Sequence, residues 1–173
     1  METIGTLVTV GTHLTDYGTF DMTVEGLATG GMGMVVWGMN TVRQRRTAAK
    51  LIRPDLLASS AYREAFINEA LVWCRLWPNF YVNTAYGLTT LRNGSDELVL
   101  EMDYAERGTL LNTLQRAQSV GLSLSLGSSL SIAQQLAKAL EAIHRPDPEH
   151  GRPTSLIHCA LMLRVRAKKA QVE

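Results

Sequence analysis

The sequence predicts an α+β fold in which a small antiparallel sheet comes first and helices follow. Three observations support this prediction. Short stretches of alternating apolar side chains, bounded by glycine-rich or polar turns, occupy residues 20–52. A helical pattern interrupts them at 60–76, and two further strand patterns follow before residue 103. The remaining periodic segments are helical, and strands followed by helices are typical of α+β domains.

The composition is that of a globular protein with one domain, or one domain and a fragment. Of 173 residues, 46% are hydrophobic and 19% are charged, which excludes a disordered chain. The formal net charge of +1 gives no basis for a nucleic-acid partner, and no apolar run approaches the ~18 residues of a membrane span. Cys74 and Cys159 form no metal-binding pair, so we interpret them as free thiols and expect a cytoplasmic protein.

Three strands are expected in the first third of the chain. Residues 20–27 alternate as a strand does, and the following ATGGMG must turn because glycine permits positive φ. A second strand at 34–39 and a third at 47–52 are separated by the polar TVRQRR. Residues 1–19 show no clear period and are expected to form a loosely ordered leader. This order differs from the strand, glycine loop and helix of a Rossmann or P-loop site.

The first helix is expected from Ser60 to Leu76, because apolar residues recur at spacings of three and four and Pro78 cannot continue it. Its buried stripe is predicted to consist of Phe66, Ala70, Trp73, Cys74 and Trp77. A strand within 81–90, the turn signal NGSD and the central strand ELVLEM complete a sheet of five strands.

The second half of the chain is expected to be mostly helical. A short helix is predicted at 109–117, a loop at GLSLSLGSS, and an amphipathic helix at 130–144 capped by Ser129 or Ser131. The apolar stripe of this last helix is predicted to consist of Leu130, Ala133, Leu136, Ala137, Leu140 and Ile143. A proline-rich loop and a basic tail without an apolar period follow.

Five motifs in register resemble those of bacterial eukaryotic-like Ser/Thr protein kinases over residues 20–160. LATGGMGMV is similar to the glycine-rich loop, TAAK to the strand whose lysine meets the ATP phosphates, and FINEA to helix C. LVLEMDYAERGTLLNTL is similar to strand 5, hinge and helix D, and LIHC to the start of the catalytic loop. The resemblance implies an amino-terminal lobe and hinge at 20–105, a partial carboxy-terminal lobe with helices D and E at 106–160, and an unrelated basic tail at 161–173.

The resemblance also implies an ATP site. Gly30 and Gly33 stand at the second and third glycine positions of the loop, and Ala28 stands at the first, a departure that adds a methyl group. Lys50 would meet the α- and β-phosphates and Glu69 would hold Lys50 in place. The adenine would be surrounded by Leu27, Val35, Ala48, the gatekeeper Met102, and the backbone of Asp103 and Ala105.

Part of the kinase chemistry has no counterpart in the sequence. The catalytic-loop pattern His-Arg-Asp aligns with His158, Cys159 and Ala160, and no Asp-Phe-Gly occurs. Kinases need that aspartate for the substrate hydroxyl and further groups for Mg²⁺. We therefore expect a truncated, pseudokinase-like chain with no catalytic residue and no metal ligand, which binds ATP weakly and does not itself hold Mg²⁺. We interpret the tail as the product of a frameshift or faulty gene boundary.

Three functions stay open at this point. The chain is a Ser/Thr protein kinase by resemblance that cannot transfer phosphoryl, or a non-catalytic nucleotide-binding or protein-interaction module, or a fragment without function. Each motif also has a structural alternative: the glycines form only a tight hairpin, Lys50 is a solvated strand residue, and Glu69 is an exposed helix charge. A protein partner, or self-association, is expected through the apolar stripe of 130–144, and neither nucleic acid nor membrane is expected.

Overall fold

The computed structural model describes residues 8–30, 33–76, 79–92, 97–106 and 108–144. The chain divides into two compact units, the first made of residues up to 77 and 84–104, the second of 78–83 and the residues from 105 onward. The predicted turn NGSD, the predicted helix stop at Trp77 and Pro78, the catalytic-loop motif and the basic tail lie outside the described residues.

The first unit is an antiparallel sheet with one helix, which confirms the predicted α+β class. The sheet order is β1-β2-β3-β4-β6-β5. Helix α1 (Ser60–Arg75) stands between β4 and β5 in the chain and packs against both. The strands are β1 (His13–Thr15), β2 (Asp21–Thr29), β3 (Gly33–Asn40), β4 (Arg45–Ile52), β5 (Ala85–Thr90) and β6 (Leu98–Asp103).

The described sheet has six strands rather than the five predicted, because β1 lies within the segment expected to be a loosely ordered leader. Its central residue, Leu14, pairs with Met22 of β2, and both side chains are buried. Between the two strands, the carboxylate of Asp16 accepts hydrogen bonds from three successive backbone N–H groups, Gly18, Thr19 and Phe20. This turn orders a polar sequence that has no period of its own.

The two outer strands of the sheet meet. The Thr89 hydroxyl on β5 donates to Asp16 Oδ2 at 2.6 Å, and the Arg92 N–H donates to the Thr15 carbonyl at 2.8 Å. The sheet therefore curls until β1 and β5 are joined. The core that it encloses consists of Val8, Leu14, Phe20, Met22, Val24, Met34, Val36, Ala49, Leu51, Leu91 and Val99.

Helix α1 confirms the apolar period seen in the sequence. Phe66, Ala70 and Trp73 are buried and Cys74 is half-buried, as the spacing predicts. These positions fall on one side of the helix, so α1 lies with that side against the sheet and its polar side in solvent.

The second unit contains helices α2 (Leu110–Ser119) and α3 (Leu126–His144). The Thr109 hydroxyl and the Asn112 side chain form a reciprocal capping box at the start of α2. Helix α3 begins four residues before the predicted start, and the predicted caps Ser129 and Ser131 lie inside it. Its first turn is instead capped by Ser125, whose hydroxyl accepts from the Ser128 N–H at 3.1 Å.

The buried side of α3 differs from the predicted stripe. Ala139 and Ile143 are buried, so Ile143 is the one member of that stripe that is correct. Leu130 is 61% exposed, and Leu136 and Leu140 are 37% and 38% exposed. No helix within the described ranges is long and apolar enough to cross a membrane.

Candidate functional site

A lysine on the sheet and a glutamate on the helix form an ion pair. Lys50 Nζ on β4 donates to Glu69 Oε1 on α1 at 2.5 Å, and only 18% and 15% of the two side chains is exposed. Lys50 Nζ also lies 5.8 Å from the centroid of the Phe66 ring, one helical turn before Glu69. Phe66, Glu69 and Ala70 lie on the same side of α1 because they are three and four residues apart. This spacing brings the Glu69 carboxylate to Lys50.

Lys50 shares its side of the sheet with several of the other predicted site residues. In the strand register Val35 pairs with Lys50, and Ala48 pairs with Met102. Paired residues on neighbouring strands point to the same side of a sheet, and so do alternate residues of one strand. Val35, Ala48, Lys50 and Met102 thus form one surface, which we call the lysine face. Met102 is fully buried within it.

The glycine hairpin ends against this face. The Gly30 N–H donates to the Gly33 carbonyl at 2.8 Å, so this N–H closes the hairpin. A Cβ at Gly33 would lie 3.0 Å from the Leu51 carbonyl oxygen and 3.2 Å from Lys50 Cε. Glycine at position 33 therefore lets the hairpin approach the lysine side chain closely. Ala28 pairs with Val35 and is exposed on the lysine face.

Leu27 is not brought together with the other predicted adenine contacts. The β2–β3 register shifts by one residue between Val24 and Gly26, and beyond this bulge Leu27 pairs with Val36 instead of Val35. A shift of one residue moves a side chain to the opposite side of a sheet. Leu27 accordingly packs against the enclosed core, of which Val36 is a member.

The hinge residues lie where β6 ends. The Asp103 N–H donates to the Thr84 carbonyl at 2.9 Å, which ties the last residue of β6 to the start of β5. Ala105 belongs to the second unit, is exposed, and accepts a hydrogen bond from the Gly108 N–H at 3.0 Å.

Two aromatic residues near the hinge were missed by the sequence analysis. Trp37, two residues after Val35 on β3, stacks on Tyr104 with ring centroids 5.9 Å apart and an angle of 22° between the planes. The strand period from Val35 could have placed Trp37 on the lysine face. Its indole lies across Gly26, where a Cβ would come within 2.4 Å of the ring.

A second cation lies at the glycine hairpin and was also missed. Arg53 Nη1 is 3.5 Å from the Gly30 carbonyl oxygen, while its other nitrogens pair with Asp55 at 2.7 and 2.9 Å. The ion pair with Asp55 raises the pKa of Arg53 and lowers that of Asp55. Asp55 thus matches the charge of Arg53 beside the hairpin.

Other chemistry is sparse in the part of the chain that the structure describes. No group of three His, Cys, Asp or Glu residues there could hold a metal ion. Cys74 is a free thiol, and burial raises its pKa, so it is a poor nucleophile.

Comparison with solved structures decides the fold. The chain matches the kinase domain of PknI from Mycobacterium tuberculosis with a TM-score of 0.58 and 22% sequence identity over 79% of this chain. It matches a cysteine-to-alanine variant of that domain with a TM-score of 0.59 and 21% identity over 80% of this chain. The chain has a protein-kinase fold.

The comparison confirms the kinase-like α+β fold that the resemblance implied, whereas the domain bounds at 105 and 160 stay predictions. This chain spans about half of those kinase domains, 51% and 52% of their lengths. No protein-family profile matches the sequence, and no curated protein matches it.

Proposed function

We propose that this kinase-fold chain binds ATP on the lysine face and does not transfer its phosphoryl group. The ion pair of Lys50 and Glu69 beside the glycine hairpin carries the proposal. A triphosphate needs positive charge at a fixed position, and a lysine with 18% exposure held by a carboxylate supplies it.

The apolar part of the lysine face suits the base. Val35 offers a half-buried apolar side chain next to Lys50, and Ala48 and Met102 lie buried on the same side of the sheet. The end of β6 offers backbone groups for the base edge. Arg53 near the Gly30 carbonyl is left out of the proposed contacts, because Asp55 matches its charge. Leu27, which packs on the core, is not part of this proposed contact set.

The absence of phosphoryl transfer is proposed from the catalytic-loop motif. Ala160 stands at the position of the aspartate that orients the substrate hydroxyl, and no asparagine follows it at the place where the catalytic loop holds Mg²⁺. The bound nucleotide would therefore keep the Mg²⁺ that it carries in solution.

We also propose that the protein is cytoplasmic. This proposal rests on its cysteines, because free thiols are typical of a reducing compartment and Cys74 is a free thiol.

Calorimetry with ATP tests the proposal. Lys50→Ala is expected to weaken binding about ten-fold or more, because a charge-assisted contact contributes about 1.5–3 kcal/mol. Lys138→Ala is the matched control, since Lys138 is an exposed lysine of the second unit beside Tyr81. Equal ATP affinities of the wild type and Lys50→Ala would contradict the lysine face as the binding site.

A non-catalytic interaction module is the second candidate function. Apolar side chains exposed on the helices of the second unit favour it, in particular Leu111 and Leu130, each 61% exposed, and Leu126, 77% exposed. A contiguous patch of such side chains would suit a protein partner.

A further inference from the structure

The carboxylate of the hinge residue Asp103 is held by two neighbouring strands. Arg45 Nη2 on β4 lies 3.2 Å from Asp103 Oδ1, and the Tyr86 hydroxyl on β5 donates to the same oxygen. Arg45 Nη2 also donates to the Tyr86 hydroxyl. These three residues, which we call the hinge anchor, connect the end of β6 to the strands on both sides of it.

A second carboxylate on β6 strengthens this connection. Glu101 Oε1 accepts from Arg43 Nε and from Asn40 Nδ2, each at 2.7 Å. The guanidinium of Arg43 lies 4.0 Å and that of Arg45 5.2 Å from the centroid of the Tyr86 ring. The ring of Tyr86 thus joins the partners of Glu101 to those of Asp103.

Burial restricts the carboxylates of Glu101 and Asp103 to one set of hydrogen-bond partners. Only 5% of the Glu101 side chain and 12% of the Asp103 side chain is exposed. A buried carboxylate that loses its partner is strongly destabilising, so both stay in one arrangement. The turn before β4 supports it, because Gln44 adopts a φ of 53° between Arg43 and Arg45.

The arginines of this turn are not a free basic patch. Arg43 pairs with Glu101, Arg45 with Asp103, and the neighbouring Arg46 with Glu25. Each charge is matched by an acid of the same unit. These arginines therefore make their contacts within the sheet. Of their carboxylate partners, Asp103 is the one that lies at the proposed nucleotide site.

We propose that the hinge anchor positions the backbone of Asp103 and thereby sets how well the protein discriminates between nucleobases. Asp103 follows Met102 on β6, at the end where the base edge would lie. Arg45 and Tyr86 are positioning residues that do not touch the ligand. The inference rests on the proposed function, since it needs a nucleotide on the lysine face.

Two variants loosen the anchor in different ways. Tyr86→Phe removes the hydroxyl that donates to Asp103 and keeps the ring beside both guanidinium groups. Arg45→Gln removes the charge beside Asp103. Arg46→Gln is the matched control, because it makes the same change one residue later, where the partner is Glu25.

Calorimetry of each purified chain with ATP, GTP and inorganic triphosphate measures the effect. In Tyr86→Phe and Arg45→Gln we expect ATP affinity to fall about five-fold, as for one lost hydrogen bond, while triphosphate affinity stays unchanged. The preference between ATP and GTP should shrink by the same factor. Arg46→Gln should bind all three ligands as the wild type does.

The outcomes separate the two proposals. A wild type that binds no ATP would refute the proposed function. A wild type that binds ATP, with anchor variants of unchanged ATP affinity, would refute the anchor alone. An equal loss for ATP and triphosphate, or failure of both anchor variants to fold by circular dichroism, would assign Arg45 and Tyr86 a structural role and overturn the inference.

Discussion

The carboxylate of Asp16 accepts five hydrogen bonds from described residues. Besides the three N–H groups of its turn, its carboxylate accepts from the hydroxyls of Thr19 and Thr89. Burial raises the pKa of Asp16, but the hydrogen bonds from Thr19, Thr89 and the backbone outweigh burial and hold the pKa well below the ordinary value.

Asp16→Asn should lower the free energy of unfolding by about 2 kcal/mol, because an amide NH₂ would face hydrogen-bond donors. Urea denaturation followed by fluorescence measures it. Asp21→Asn is the control, since Asp21 pairs at the sheet edge with the exposed His13. An equal and small effect of both changes would contradict the structural role of Asp16.

The stability of the wild type should also depend on pH through Asp16. With a depressed pKa in the folded state, the contribution of Asp16 is complete above the unfolded pKa of about 3.9 and is lost as pH falls below it. We expect the wild type to lose more stability between pH 5 and pH 3 than Asp16→Asn. Parallel pH profiles of the two melting temperatures would show that Asp16 is not responsible.

Gly38 is a residue at which a side chain has no room. A Cβ there would lie 1.8 Å from the Thr23 carbonyl oxygen, whereas a Cβ at Gly87 would meet nothing within 4 Å. Gly38→Ala should therefore destabilise the first unit by about 3 kcal/mol, as overpacking does, and Gly87→Ala should change stability by less than about 0.5 kcal/mol. Thermal melts of the pair measure this difference, and equal melting temperatures would contradict the close approach of β2 and β3.

Some site residues could be predicted from the sequence and others could not. Lys50 was assigned from its motif, and its ion pair with Glu69 is present in the structure. The side of β2 on which Leu27 lies depends on a bulge at Gly26. A glycine inside a strand is a signal for such a bulge, but the prediction rested on the alternation of residues 20–27 alone. Arg45 and Tyr86 are 41 residues apart, so their meeting depends on the order of the strands.

At the scale of elements, the helices of the second unit carry the exposed apolar surface. We expect the chain to self-associate through α3, because exposed leucines of this kind favour association. Leu130→Lys should shift the mass measured by light scattering toward the monomer. Gln134→Lys, an equal gain of charge at another exposed position of α3, should not. A monomeric wild type would contradict this expectation.

The helices and strands whose apolar residues recur at a regular spacing were predicted best. The apolar spacing of α1 and the alternation in β2 and β3 follow from burial on one side, which the sequence records directly. Strand β1 has only three residues. Its conformation depends on residues distant in the sequence, such as Thr89, whose hydroxyl donates to Asp16 at the end of β1. The start of α3 was missed because SLSLGSS alternates serine and leucine, which hides the helical period and the cap at Ser125.

At the scale of the whole molecule, we expect no protein kinase activity. Ala160 stands in place of the aspartate that the reaction needs, and no asparagine follows at the metal-binding place of the catalytic loop. Transfer of radiolabel from ATP to a generic protein substrate should not exceed the background of Lys50→Met. Transfer by the wild type that disappears in Lys50→Met would contradict this expectation.

The junction of the outer strands has a consequence for how the protein misassembles. Unpaired strand edges are templates on which other chains add and from which amyloid grows. Here the Thr15 carbonyl and the Arg92 N–H at those edges already bond to each other. Aggregates of the folded chain should therefore be amorphous, dissolve on dilution, and give no thioflavin signal, whereas opening the junction with Thr89→Val and Asp16→Ala together should make the protein fibrillise.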